Sequence, residues 1–287
     1  MAITNFIPTV WNAALLIALE KSLVYNAPDV VNRDYEGDIA AFGDRVRIVS
    51  IGEPTISDYV RNTDIAAPEE LSDADQELII DQAKYFNFAV DDVDARQARG
   101  DVVVTAMEMA AYKLRDVADQ RTAAIMAAAV PSANQIGTEA SPKTDIGTAG
   151  KAYEYLVDMG VKLDESDTPM ERRWVIVPPF FHGALLKDDR FVKSGADAGD
   201  ERLTNGKVGR AAGFDVRLSN NAPSTTATTK FKIIGGIDWA ASYAEQILMT
   251  EAYRPERRFS DAIKGLHVYG QKVVRPDQLA MIVANKP

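Results

Sequence analysis

Residues 91–129 carry the longest uninterrupted helical pattern in the chain, DDVDARQARGDVVVTAMEMAAYKLRDVADQRTAAIMAAA, and it contains no proline. Apolar residues recur at Val103, Met107, Ala110, Leu114, Val117, Ala124 and Ala128, and only Arg121 interrupts them. Steps of three, four and seven are the period of a helix with one buried stripe. Asp91, Asp92 and Asp94 crowd its start, where carboxylates cap free N–H groups and oppose the helix dipole. At about 1.5 Å per residue a helix from Val93 to Ala129 spans roughly 55 Å, more than an ordinary small domain needs. Gly100-Asp101 marks a point where it could bend, since glycine costs about 1 kcal/mol against alanine in a helix. Taken alone, the stretch also suits a long core helix of an α/β enzyme.

The sequence around it narrows the choice. Before it, Arg45–Ile51 alternates with strand period, and a second strand pattern runs from Leu78 to Val90, with Phe86, Phe88 and Val90 on one face. Between them lies a polar stretch too long for an ordinary loop. From Gly52 to Asp81 it holds Glu53, Asp58, Asp64, Glu69, Glu70, Asp73, Asp75, Glu77 and Asp81 against the single cation Arg61. This reads as a solvated charged face, or as a two-stranded arm reaching a basic surface elsewhere. An isolated hairpin is marginally stable in water, so such an arm needs something to lie on. Ahead of it, Thr9–Leu23 is amphipathic and is bounded by Pro8 and by Asn26-Ala27-Pro28. It suits a small helix packed on its own domain or on a neighbour.

After the long helix, Ala127–Gly150 is rich in Ala, Ser, Thr, Pro and Gly and reads as a loop or boundary. The remainder is α/β in pattern. Helices are expected at Lys151–Met159, Phe180–Lys187 and Ile237–Leu248, the second introduced by Pro179. Strands are expected at Arg173–Pro178, Phe214–Leu218, Phe231–Ile234, Leu266–Val274 and Leu279–Val283, with turns at Gly235-Gly236 and Pro276-Asp277.

No constellation for catalysis emerges. His182 and His267, the only two histidines, fall on a helix and in a strand. Lys207 in Asn205-Gly206-Lys207-Val208-Gly209 sits in too short a loop for a phosphate cradle and lacks the following Ser/Thr. Asp91, Asp92 and Asp94 are satisfied as helix caps without a metal. Asp188, Asp189, Asp197 and Asp200 read as exposed loop carboxylates. The chain has no cysteine, which excludes disulfides and thiolate sites. A net charge of −10 argues against gripping nucleic acid, where affinity comes from lysine and arginine on phosphates, though not against surrounding it. No apolar run reaches the ~18 residues of a membrane helix, and the N-terminus lacks a signal peptide's positive charge, which fits cytoplasmic synthesis.

Several stretches together resemble the major capsid (coat) protein family of tailed bacteriophages, a fold shared with encapsulins. They are Phe6-Ile7-Pro8-Thr9-Val10-Trp11, Asn32-Arg33-Asp34-Tyr35-Glu36-Gly37 with Gly43-Asp44-Arg45-Val46, Asp81–Phe88 running into Asp91-Asp92-Val93-Asp94, and Gly206–Val216 with Ser219-Asn220-Asn221. The resemblance spans essentially the whole chain and implies an α+β tailed-phage major capsid fold. It places an N-terminal arm at 1–44, an extended β-hairpin loop at 45–90, the spine helix and peripheral domain at 91–144, an axial domain at 145–250, and a C-terminal β segment returning to the peripheral domain at 251–287.

The implied function is a structural subunit, not an enzyme, that assembles through pentamers and hexamers into an icosahedral head around double-stranded DNA. The alternative within this fold is an encapsulin-type compartment shell. A small-molecule α/β enzyme remains as a reading from another class, with no candidate site. The resemblance further implies no cofactor, no metal, no membrane and no sequence-specific DNA contact. The partners would be copies of the chain, a separate scaffolding protein, a portal and a possible decoration protein. Assembly would occur in the host bacterial cytoplasm and the destination would be the virion.

Candidate contacts between subunits are the acidic loop (Glu53, Asp58, Asp64, Glu69, Glu70 and Asp73, with Arg61) and basic partners at Arg172, Arg173, Arg254, Arg257 and Arg258. Some members of the family weld subunits through a lysine on the extended loop. No lysine lies between Gly52 and Ala83, so that crosslink is not expected. Some members begin with a removable scaffolding segment. This chain opens on arm-like sequence, hence the expectation of a separate scaffold.

Overall fold

The computed structural model describes residues 24–36, 43–51, 56, 58, 61–62, 64, 73–91, 102–188, 209–225, 229–256 and 260–287. The amphipathic segment Thr9–Leu23, the caps Asp92 and Asp94, the bend at Gly100, Lys207, and Asp189, Asp197 and Asp200 all fall outside these residues.

The long helix, α1, runs over Val102–Ala129. At ~1.5 Å per residue its length is about 42 Å. Its first turn holds no carboxylate, and Asp91 is instead the last residue of a strand. The buried stripe is Met107, Ala111, Leu114, Ala118, Ala123, Met126 and Ala127, joined by the polar residues Asp119 and Thr122. Met107 and Leu114 match the sequence reading. Val117, Ala124 and Ala128 are exposed. The reason is chemical: in the alanine-rich second half every face looks equally apolar, and the true stripe carries two buried polar residues.

Two sheets pack against α1. The larger is mixed, with strand order β4 (Gln135–Ile136), β12 (Leu279–Asn285), β9 (Lys230–Ile237), β5 (Arg173–Val177), β7 (Phe214–Leu218) and β6 (Arg210–Ala211). β8 (Ser224–Thr225) adds to β9. β5 is parallel to β7 and β12 to β4, while the other pairs are antiparallel. Side chains alternate between two cores, as strand period demands. Trp174, Ile176, Ile234, Met281 and Val283 meet α1 on one face. Val175, Val177, Ile233 and Ile282 meet α2 (Lys151–Glu165) and α3 (Pro179–Leu186) on the other.

The smaller sheet is antiparallel, in the order β10 (Ala241–Tyr253), β11 (Ser260–Val273), β3 (Gln82–Asp91). The expected helix at Ile237–Leu248 is therefore incorrect. A short 3₁₀ turn, Asp238–Ala240, leads straight into β10. The spacing of Ile237, Ala241, Ala244 and Leu248 mimics a helix. The twelve-residue pairing of β10 with β11 overrides it, with one register shift between Ile247 and Met249.

Gly235-Gly236 is likewise not a turn: both residues lie inside β9. A Cβ at Gly235 would come within 2.6 Å of Met159 Sδ, and one at Gly236 within 2.7 Å of the Gln278 carbonyl oxygen. These glycines permit close packing. Ala127–Gly150 is less loop-like than its composition suggests, since α1 continues to Ala129 and Gln135–Ile136 joins the sheet edge.

The second strand pattern, Leu78–Val90, is two strands. The chain breaks at Ile80-Asp81 between β2 (Asp73–Ile79) and β3. β2 pairs antiparallel with β1 (Arg45–Ile51), from Arg45↔Ile79 to Ile51↔Asp73. The C-terminal segment also divides. β11 stays with β3 and β10, whereas β12 crosses to the larger sheet, between β4 and β9. Among the described residues no helix is long and apolar enough to cross a membrane.

Candidate functional site

The described part of the β1–β2 hairpin is anchored at the end where Ile48, Leu78 and Ile80 lie. Ile48, Leu78 and Ile80 bury against Ala244 and Val268 of the smaller sheet, with Tyr35, Val46, Leu266 and Val274 packed around them. Gln76 Nε2 donates to the Val274 carbonyl at 3.1 Å. Gly270 permits this seat, since a Cβ there would lie 2.3 Å from the Ile79 carbonyl oxygen. Burial of three aliphatic side chains at about 1.5–3 kcal/mol each holds the root.

Away from the root the hairpin leads into the acidic loop. There Ile56 is 96% exposed, and Asp58, Arg61 and Asp64 are exposed. Asp73 opens β2. Glu53, Glu69, Glu70, Arg257 and Arg258 lie outside the described residues.

The basic candidates separate. Arg172 is exposed, sits in the left-handed region (φ 55°) and donates from Nη1 to Asp238 at 3.2 Å. Its neighbour Arg173 is buried. Its guanidinium donates to Asp164 at 2.6 Å, to the Pro169 carbonyl at 2.9 Å and to the Thr168 carbonyl. Arg173 therefore ties its own chain together and offers no face to a neighbour. Arg254 is exposed and lies 3.4 Å from Asp261. Asp188, expected in an exposed loop, is buried.

Beside the hairpin root, the same face of the smaller sheet is open. Tyr85, Asn87, Glu251, Lys264, Gly265 and Leu266 line a shallow cavity of about 330 Å³. Lys264 contacts Glu251 at 2.9 Å, which holds its pKa above the usual lysine value, and lies over the Tyr253 ring at 5.1 Å. Tyr253 exchanges hydrogen bonds with the Asn87 amide at 3.1–3.2 Å. Tyr85 is 78% exposed. The surface combines aromatic area with mixed charge, the composition of a contact surface, and holds no nucleophile–base pair.

Two buried polar clusters fix the chain where it emerges from residues 1–23. The Asp119 carboxylate of α1 accepts from the backbone N–H of Val24 at 2.9 Å and of Asn26 at 3.3 Å. Thr122 Oγ1 donates to Asn26 Oδ1 at 2.7 Å. Burial pushes the Asp119 carboxyl up to about 6, opposed by these backbone donors.

Further on, Asn32 bridges to β10 beside Ser242, and Arg33 pairs with both Glu36 (2.6 Å) and Glu245. Glu245 also accepts from Tyr243 Oη at 2.7 Å and meets His267 Nε2 at 3.1 Å. Desolvation works to raise the Glu245 pKa, but its hydrogen bond to His267 and the charge of Arg33 outweigh it, so the carboxyl sits below its usual value. His267 is buried in this network and His182 lies on α3, where burial lowers its pKa. Neither stands beside a nucleophile. Sequence reasoning missed both clusters. The placement of Glu245 in a helix hid its cross-strand relation to His267, and Asp119 was hidden by the assumption that a buried stripe is apolar. Among the described residues no three His, Asp or Glu side chains gather as a metal site.

A family profile described as phage capsid protein matches residues 75–282. No curated protein matches the sequence. Among solved structures, one from Mycobacterium phage Che8 is 26% identical with a TM-score of 0.69, covering 98% of this chain and 94% of its own. The capsid of Ralstonia phage GP4 is 14% identical with a TM-score of 0.62, covering 92% and 88%. A virus-like particle from Pyrococcus furiosus is 12% identical with a TM-score of 0.54, covering 96% and 99%. At such identities the last two show a shared fold.

Proposed function

From the premise that the chain belongs to the phage capsid protein family, we propose how this structural protein of the phage head meets its own copies. The fold is that of a phage major capsid protein, and the function is structural. The encapsulin-type alternative is not favoured, because the matching family is one of phage capsids.

In the proposed assembly, subunits form pentamers and hexamers that close into an icosahedral head around double-stranded DNA. Assembly takes place in the host cytoplasm, with a separate scaffolding protein, a portal and a possible decoration protein as partners. The subunit has no catalytic role. Residues 45–90 act as the extended loop, with 1–44 as the arm, 91–144 as the spine and peripheral part, and 145–250 as the axial part. The C-terminal segment 251–287 serves both sheets, since β11 and β12 separate.

The observation that carries this reading is the seated root of the hairpin together with the exposed residues of its acidic loop. Its root is locked to its own sheet by Ile48, Leu78 and Ile80. The remainder carries an acidic loop with an exposed Ile56. The loop lies on a neighbouring copy, where Arg172 and Arg254 and the open sheet face around Tyr85 and Lys264 provide cations and aromatic surface. Exposed ion pairs contribute only about 0–1 kcal/mol each, so apolar contact repeated across many interfaces has to supply most of the stability. The net charge of −10 suits a wall that keeps packed DNA at a distance.

The test is sedimentation velocity on the full chain and on a variant with residues 52–72 replaced by a two-residue turn. The variant keeps the hairpin root. It is expected to fold but to remain a slowly sedimenting species, while the full chain forms fast-sedimenting shells. Shells of unchanged size and yield from the loopless variant would overturn the assigned role.

A further inference from the structure

Where the two sheets meet, the chain turns from β9 into β10 through Asp238–Ala240 and leaves Trp239 on the surface, 54% exposed. Met170, 71% exposed, belongs to the loop that leads into β5. The two segments are stitched together. Arg173 pairs with Ile237 across β5 and β9, and the next residues outward, Arg172 and Asp238, form the 3.2 Å ion pair. A third segment joins them, since the Ala240 carbonyl accepts from the backbone N–H groups of Val274 and Arg275 at 2.9 and 3.0 Å. Behind the patch, the buried Arg173 guanidinium clamps the loop through Asp164, Thr168 and Pro169. The platform therefore carries two exposed apolar side chains, Trp239 and Met170, on segments braced to one another, with Glu171, Arg172, Arg275 and Asp277 also exposed on them.

We infer that Trp239 with Met170 is an anchor of the contact between copies of this chain, beside the acidic loop's landing surface, with which it shares Arg172. The inference rests on the capsid reading. The charge pattern argues for a second copy as occupant. A chain of net charge −10 carries a net repulsion between its copies. At this platform two arginines stand against three carboxylates, Glu171, Asp238 and Asp277, and Asp238 is already held by Arg172. The platform is nearly neutral and carries both signs, so it can face an identical or neighbouring platform without net repulsion. Tryptophan on a braced platform that also carries charged residues is the composition of an interface hot spot. Preorganisation by Arg173 removes most of the ordering cost on contact.

The test uses the full chain and Trp239→Ala, with Met170→Ala as the milder companion. Because Trp239 lies on the surface, the unassembled Trp239→Ala subunit keeps its thermal midpoint. Its threshold concentration for assembly, read by light scattering, rises by about tenfold or more. Acrylamide quenching gives a second reading. In a Trp11→Phe background only Trp174, buried, and Trp239 remain, and the accessible tryptophan signal falls when shells form. An unchanged threshold together with a Trp239 still quenched in shells of the Trp11→Phe chain overturns the inference while leaving the capsid reading intact. A wild-type chain that assembles under no condition, with or without a scaffolding protein, removes the premise and the inference with it.

Discussion

Replacing Glu245 by Gln removes the charge at the centre of the network that fastens residues 32–36 to the smaller sheet. The Glu245 carboxylate is 9% exposed and receives Arg33, Tyr243 and His267. Arg33 is 14% exposed and keeps only the partly exposed Glu36 as an anionic partner once Glu245 is neutral. A glutamine offers one acceptor oxygen and turns its NH₂ toward a donor. Tyr243 Oη and a neutral His267 Nε2 can accept from that NH₂, so the lasting loss is the anionic partner of Arg33. Breaking a buried ion pair from one side costs about 3–5 kcal/mol, because the remaining charge stays buried. For a chain of this size that lowers the thermal midpoint by on the order of 10 °C.

The assay is differential scanning fluorimetry of the unassembled subunit at pH 7, beside a double variant, Arg33→Met with Glu245→Met. The double variant is expected to lose less than Glu245→Gln alone, since both buried charges go and only Glu36, about a third exposed, is left without its cation. A Glu245→Gln midpoint within about 2 °C of wild type, or a double variant worse than the single, would refute the reasoning. The pH dependence follows with its sign. The folded pKa of Glu245 lies below the ordinary value, so its stabilisation is present above that ordinary value and is lost as pH falls through the folded pKa.

Asp119 has the opposite sign. Its folded pKa, about 6 against 3.8, makes its stabilisation complete below pH 3.8 and lost as pH rises through 6, with a ceiling of about 3 kcal/mol. The midpoint of wild type minus that of Asp119→Asn should therefore fall between pH 4 and 7, and a flat difference would show that burial does not govern this group. Gly270→Ala places a methyl against the Ile79 carbonyl and is expected to cost about 1–3 kcal/mol. Limited proteolysis should then cut the hairpin faster than in wild type, and equal rates would mean the root is not seated on Gly270. Because no lysine lies between Gly52 and Ala83, denatured mature particles should run as the monomer on a gel, whereas covalent ladders would point to a crosslinking residue elsewhere.

Where local pattern and tertiary demand agree, the sequence was sufficient. β7 runs from Phe214 to Leu218, as its alternating Phe214, Val216 and Leu218 indicate, and β5 runs from Arg173 to Val177, one residue short of the expected strand. The hairpin was legible from its charge and from the strand period of Arg45–Ile51, although its return strand begins at Asp73, inside what reads as polar loop. The sequence misled where one pattern served two structures. Ala241, Ala244 and Leu248 fit a helix face, yet the segment pairs with β11. Gly235-Gly236 has turn chemistry, yet its glycines leave space for Met159 and Leu279. The contact surfaces were legible only as charge. Arg172 and Arg173 are adjacent in sequence and opposite in fate, because Arg172 sits in a left-handed turn before β5 whereas Arg173 opens a strand buried on both faces.

The most direct measurement is electron microscopy of the purified full chain, expressed alone and then with a candidate scaffolding protein. Closed shells or curved sheets of hexamers in at least one condition are the expected result. Particles that stay strictly monomeric or dimeric in both would contradict the assignment of this chain as a shell-forming subunit.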